Sequence, residues 1–252
     1  MMHPALRETS HRPWPLPLGP WVMAQSWHDL LFAHWAVPAE SLRPLVPPAL
    51  ELDRFAGQCW LGVIPFRMTG VRLRGAPALP GLSAFPELNV RTYVTAEGKP
   101  GVWFFSLDAA NAVAVGVARA WFHLPYFRAR MSLEDRAGCI HYRSLRTHRA
   151  APPAELICRY WPAGAPASPV AGTLEHWLTE RYCLYAAAAA GRLYRAEIHH
   201  PPWPLEPAEA ELERNTMADA AGIALPGAAP LLHFARRQDV VVWPPHYAPG
   251  AQ

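Results

Sequence analysis

The segment Glu87-Leu-Asn-Val-Arg-Thr-Tyr-Val94 repeats with a period of two, a pattern that an extended strand sorts onto two faces. Glu87, Asn89, Arg91 and Tyr93 share one face, and Leu88, Val90, Thr92 and Val94 the other. After the turn residues Glu97 to Gly101, the apolar run Val102 to Leu107 returns as a second strand. This predicts a hairpin with a loop longer than two residues. The polar face admits two readings. It is the solvated side of an antiparallel sheet, or it lines a pocket inside a curled sheet, where desolvation would raise the pKa of Glu87.

Most of the remaining chain also reads as strand. Expected strands are Gln25 to Trp35, Gln58 to Met68 (with a bulge or edge at Pro65), Phe127 to Leu133, Cys139 to Thr147, Ala154 to Trp161 and Leu231 to Trp243. Arg181–Tyr185 and Leu193–His199 are read as a hairpin around Gly191. Helices are expected at Pro38–Val46, Ala109–Phe122, Thr173–Thr179 and, on its polar composition, Pro207–Arg214. Runs of antiparallel strands with a few helices predict an α+β fold. A Pro-rich arm (1–20), one domain (21–245) and a short tail (246–252) are expected.

Composition excludes several classes. Hydrophobic residues make up 51% of the 252 and charged residues 17%, which excludes disorder by low hydrophobicity and high charge. A formal charge of +3 with no block of like charges gives no footprint for nucleic acid. The most apolar stretch, Ala109 to Ala118, is too short to span a membrane, for which about 20 residues are needed. The first twenty residues lack the apolar core of a signal peptide, and the four cysteines are widely spaced. A cytoplasmic protein with free thiols is expected, with no nucleic-acid or membrane partner.

Neither a glycine-rich nucleotide loop nor a Gly-x-Ser-x-Gly or His-Glu-x-x-His motif is found. His28 and His34 fall on the same face of one expected strand, but six residues separate them by about 20 Å, too far to share an ion. His199 and His200 are adjacent and point to opposite faces of a strand. No metal and no cofactor is therefore expected. Asp108 reads as the cap of the helix that follows it. Arg119 either complements that helix's C-terminus or binds a ligand carboxylate. Tyr126 is a core aromatic whose hydroxyl needs a partner.

Several longer strings carry a family resemblance. They are Trp27-His-Asp-Leu-Leu-Phe-Ala-His-Trp35, Leu42-Arg43-x-Leu-Val-Pro47 with Leu50-Glu-Leu-Asp53, Phe85-Pro-Glu-Leu-Asn-Val-Arg-Thr-Tyr-Val94 and Gly101 to Ala109. Leu124-Pro-Tyr126, Leu178-Thr-Glu-Arg-Tyr182 and His199-His-Pro-Pro-Trp203 complete the set. From about Trp21 to Trp243 the chain resembles the bacterial domain of unknown function 2071 family, which is in turn similar to the acetoacetate decarboxylases. That resemblance implies a highly curved antiparallel sheet closing into a cone-like barrel around a pocket. It also implies that the decarboxylases' pocket glutamate falls on Glu87 and their Schiff-base lysine, 39 positions on, falls on Tyr126. Arg119 and His28 fall on two arginines of the decarboxylases. Tyr126 and Phe127 stand where those enzymes have two lysines, and a phenol cannot form an imine. Lys99, the single lysine, sits in a Gly-Lys-Pro turn and is expected to be exposed.

Two functions follow as expectations. One is an enzyme in which Glu87 is the general acid/base, Tyr126 an oxyanion donor, Arg119 a carboxylate anchor and His28 a proton shuttle, with Asn89, Arg91 and Tyr93 contacting the ligand. Its chemistry would be enolisation, hydration, dehydration or retro-aldol cleavage of a small oxo or carboxylic compound. The alternative is a binding module for an apolar or weakly acidic molecule, its cavity lined by Trp27, Trp35, Trp60, Trp103 and Trp121. A filled interior with Glu87 and Arg119 as a buried ion pair is a third arrangement. The partner is a small-molecule ligand or substrate, with self-association into a homo-oligomer left open.

Overall fold

The computed structural model describes residues 2–188 and 191–248. The end of the 186–190 alanine run and residues 249–252 of the expected tail lie outside the described residues. Thirteen strands among the described residues form one sheet: β1 (Met23–Val37), β2 (Glu51–Leu52), β3 (Cys59–Leu73), β4 (Phe85–Ala96), β5 (Lys99–Ala109), β6 (Tyr126–Arg136), β7 (Cys139–Arg146), β8 (Glu155–Pro162), β9 (Cys183–Ala187), β10 (Leu193–His199), β11 (Glu206–Asn215), β12 (Leu231–Val242) and β13 (His246–Tyr247). The helices are short: α1 (Ala39–Leu42), α2 (Ala112–Trp121) and α3 (Leu174–Thr179).

The sheet closes on itself twice. One ring runs β5-β6-β7-β8-β11-β12-β1-β3-β4 and returns to β5. The other runs β12-β1-β3-β4-β5-β9-β10 and returns to β12 through the pairs Ile198↔Val242 and His199↔Val241. The shared strands therefore have two buried faces. Leu31, Ala33, Trp35, Leu61, Val63, Leu88 and Val90 face the first ring, which is packed solid around Tyr142, Tyr160 and Phe234. Leu30, Phe32, Ile64, Phe66 and Leu107 face the second. The sheet is mixed rather than purely antiparallel, because β5 pairs in parallel with both β6 and β9.

A bulge in β1 decides which residues face which ring. Asp29 has φ +53°, the left-handed region that Asp tolerates better than most side chains, and the β1–β3 register shifts between His28 and Ala33. Its backbone carbonyl accepts from Tyr160 Oη at 2.7 Å. Before the bulge, Met23, Gln25 and Trp27 face the second ring; after it, Leu30 and Phe32 do. Pro65 of β3 lies opposite this interruption, where β1 supplies it no registered partner, the setting in which a strand tolerates proline.

Several expectations are corrected. Pro207–Arg214 is not a helix but most of β11: its alternation puts Ala208, Ala210 and Leu212 against the packed core and leaves Glu209, Glu211 and Glu213 outward. Period two overrides the helix propensity of Ala and Glu here. The expected helix at Pro38–Val46 shrinks to α1 followed by a 3-10 turn over Arg43–Leu45. The β4–β5 loop is a two-residue turn, Glu97-Gly98, with both residues at positive φ (52° and 69°) and Ala96 paired with Lys99. Helix α2 is capped by Asn111, whose Oδ1 accepts from the N–H of Val113 and Ala114, and not by Asp108. The first residues do not hang free. Ala5 is fully buried, and Arg12 donates to Glu197 at 2.7 Å and to the Ile198 carbonyl at 2.6 Å.

Candidate active site

The second ring encloses a cavity of about 110 Å³. One water needs at least about 10–15 Å³, so the cavity is sized for a small molecule. Trp27, Phe32, Phe66, Phe104 and Trp203 make its walls apolar. One row of polar groups crosses it. Glu87, Asn89 and Arg91 project from β4 at alternate positions, as the period of two requires. Tyr126, Thr179, Arg181 and His200 join them from other elements.

Glu87 is 3% exposed, and Tyr126 Oη donates to its Oε2 at 2.8 Å. Burial pushes the Glu87 carboxyl up to about 8; the Tyr126 hydrogen bond pulls the other way, and Asp108 adds to the rise. The phenol of Tyr126 is itself driven well above its usual range by burial and by the facing carboxyl. The carboxyl is thus mostly neutral near pH 7 while keeping an ionised fraction, the poise that suits a group that must both take and give a proton. The parallel pair Leu107↔Tyr126 fixes the phenol at the start of β6, and Tyr142 Oη donates to the Glu87 carbonyl at 2.7 Å, fixing the strand beneath the carboxyl.

The other end of the row is cationic. Arg91 is 9% exposed, and its hydrogen bonds are long, to Tyr93 Oη at 3.5 Å and the Leu178 carbonyl at 3.4 Å; its Nε has no partner. Arg181 donates from Nη1 to Asp53 at 2.6 Å and from Nε to the Trp177 carbonyl at 2.6 Å, while Nη2 has no partner among the described residues. Asn89 Oδ1, between the two ends, is also unpartnered. Tyr93 supports this end from behind, its hydroxyl 2.6 Å from His34 Nε2 and its ring 4.9 Å from the Arg181 guanidinium carbon.

Three expected site residues lie outside the cavity lining: Tyr93, which stands behind Arg181, and His28 and Arg119. His28 does not line the cavity and does not share a face with His34, because the Asp29 bulge reverses the alternation between them. It meets Thr69 Oγ1 at 2.8 Å on the opposite side, among Arg67 and Arg237. Arg119 is exposed on α2, donates to the Tyr126 carbonyl at 2.7 Å and borders an outer groove. It cannot pair with Glu87 and anchors no ligand in this cavity. Asp108 instead forms a fully buried bidentate pair with Arg146, at 2.8 and 2.6 Å.

Lys99 is partly buried rather than exposed in a turn. It pairs with Glu197 at 2.9 Å, away from the cavity lining. Of the tryptophans expected to line the cavity, only Trp27 does, joined by Trp203, whose ring stacks on it at 6.0 Å. Arg181, Thr179 and His200 carry no periodic signal: Thr179 ends α3, Arg181 lies between α3 and β9, and His200 follows β10, so only the strings that carry the family resemblance marked these segments. Among the described residues no group of three His, Cys, Asp or Glu side chains is arranged to hold a metal ion.

Comparison with known proteins agrees with this architecture. Residues 24–239 match the domain of unknown function 2071, described as an uncharacterised conserved protein. The protein YqjF of Bacillus subtilis (strain 168), itself described as uncharacterised, is 50% identical over 229 residues, covering 91% of this chain and 93% of its own length. The acetoacetate decarboxylase of Legionella pneumophila superposes with a TM-score of 0.63 at 14% identity, covering 95% of this chain and 93% of that one. The enduracididine biosynthesis enzyme MppR, solved with pyruvate, superposes with a TM-score of 0.64 at 11% identity, covering 93% of each chain. At such identities the structural likeness establishes the fold alone.

Proposed function

Since the chain belongs to the domain of unknown function 2071 family and has the acetoacetate decarboxylase-like fold, we propose that it is an enzyme of acid–base chemistry on a small oxo compound, with Glu87 transferring the proton. One observation carries this reading: a buried carboxyl with no cationic partner among the described residues, held at about 8, lines a largely apolar cavity and shares a proton with a phenol at 2.8 Å. An imine route has no support. The single lysine is held by Glu197, and the cavity offers a phenol in place of an amine.

The steps need only these groups. Ionised Glu87 removes a proton from the carbon next to a ligand carbonyl. The C–H electron pair becomes the C=C bond as the carbonyl π pair moves onto oxygen. Once Glu87 is protonated, the Tyr126 hydroxyl is free to donate to that oxygen. Return of the proton from Glu87 to carbon closes the cycle, and dehydration or retro-aldol cleavage uses the same electron sink. The apolar walls exclude the water that would otherwise level the carboxyl's pKa. MppR has been solved with the condensation product of pyruvate and imidazole 4-carboxaldehyde, which supports oxo compounds as the class to test.

The apolar lining also favours a second reading, a module that holds a small molecule without turning it over. Deuterium exchange separates the two. In D2O, the wild type is expected to exchange the α-hydrogens of at least one member of a panel of oxo compounds, and Glu87→Gln to lose about 10²–10⁴-fold of that rate. A species retained on the native protein in mass spectrometry, with no exchange by any panel member, would favour the binding module.

A further inference from the structure

The uncompensated charge at the far end of the cavity identifies a class of ligand. Arg91 and Arg181 bring two guanidinium cations near one another, and Arg181 donates to Asp53 Oδ2. Arg91 makes no ion pair among the described residues. It sits over the rings of Phe32 and Tyr93, at 5.8 and 5.6 Å from their centroids, and makes two long hydrogen bonds to neutral oxygens. Burying a guanidinium without a counter-charge is costly, and such groups are found paired or poised for an anion. Three buried polar atoms around this end lack partners among the described residues: Arg91 Nε, Arg181 Nη2 and Asn89 Oδ1.

We infer that Arg91, assisted by Arg181, is a carboxylate-binding pole, and that the ligand carries its carboxylate several carbons from its reacting carbonyl. The fork of a guanidinium matches a carboxylate in two hydrogen bonds. The spacing follows from the strand. Glu87 and Arg91 are four residues apart on β4, about 13 Å between Cα atoms. Arg91 leans toward Tyr93 and Leu178, away from Glu87. A two- or three-carbon oxo acid held at Arg91 could not reach Glu87. A chain of five or six carbons with a carboxylate at one end and a ketone toward the other spans the row, and its middle passes Asn89, whose free oxygen accepts from a hydroxyl or amide on the ligand. This assignment rests on the cavity being the ligand site, as in the proposed function, but not on Glu87 being catalytic.

The test is a binding series on the intact protein, read by calorimetry and by the change in intrinsic tryptophan fluorescence, to which Trp27 and Trp203 of the cavity wall contribute. Probes are hexanoate, hexanamide, 5-oxohexanoate and pyruvate. Hexanoate is expected to bind about 10- to 100-fold more tightly than hexanamide, the advantage of a charge-assisted bond over a neutral one. 5-Oxohexanoate should bind more tightly than pyruvate. Arg91→Gln should erase the hexanoate preference, Arg91→Lys should keep part of it, and Glu87→Gln should leave it intact. Circular dichroism and thermal melting of each variant verify that it is folded. Equal binding of hexanoate and hexanamide to the wild type, or an unchanged preference in folded Arg91→Gln and Arg91→Lys, would overturn the anchor. If deuterium exchange persists while the preference is absent, the anchor falls and the proton-transfer reading stands. If the preference is present and exchange is absent, the anchor stands and the enzyme reading falls.

Discussion

Tyr126 Oη stands 2.8 Å from Glu87 Oε2, so a phenol at the start of β6 and a carboxyl on β4 form one proton-sharing unit facing the cavity. The donated bond stabilises the ionised carboxyl against the burial that raises it. Tyr126→Phe should therefore move the Glu87 pKa further up, above about 8. The basic shift of the carboxyl titration, followed by NMR of isotope-labelled glutamate, checks this; a downward shift would mean that Tyr126 accepts rather than donates. Loss of one buried hydrogen bond should cost about 1–3 kcal/mol in urea denaturation.

The raised pKa of Glu87 links stability to pH. Between its unfolded value of about 4.5 and its folded value of about 8, the folded state holds a proton that the unfolded state releases. The stabilising share of the neutral carboxyl is fully present below about 4.5 and is lost as the pH rises through about 8. Glu87→Gln cannot ionise, so it should melt close to the wild type at pH 4.5 and above it at pH 8.5. Thermal melting across that range reads the difference, and parallel curves would contradict the assignment.

Asp108 and Arg146 form a buried bidentate pair that belongs to the structure rather than to the cavity face. Asp108→Ala leaves the guanidinium buried without its partner. The expected cost is about 3–5 kcal/mol, measured as a lower urea midpoint.

Arg119 offers a contrasting case. It is exposed, and its hydrogen bond goes to the Tyr126 carbonyl, outside the cavity lining. Arg119→Ala should leave the affinity for hexanoate unchanged within about twofold, whereas a loss of affinity would return Arg119 to the ligand site.

A cavity inside the second ring of strands was partly legible in the sequence. The row Glu87, Asn89 and Arg91 could be read because β4 is regular and its period of two carries through to the cavity face. His28 could not be placed by the same rule. One residue at positive φ, Asp29, resets the alternation of β1, and the sequence does not mark it with a glycine. In β11 the Ala and Glu content pointed to a helix, while the alternation of Ala208, Ala210 and Leu212 with glutamates carried the strand signal. Arg181 lies between α3 and β9, where no period exists, so only the contact with Asp53 and the unpartnered Nη2 reveal its position at the cationic end.

The neutral carboxyl in the cavity is the centre of this account, and infrared titration of the folded protein reads it most directly. With Glu87→Gln as the subtraction reference, a buried protonated carboxyl band should persist through pH 6 and disappear with a midpoint near about 8. A band lost near the ordinary glutamate value of about 4.5, or a spectrum unchanged by the substitution, would contradict it.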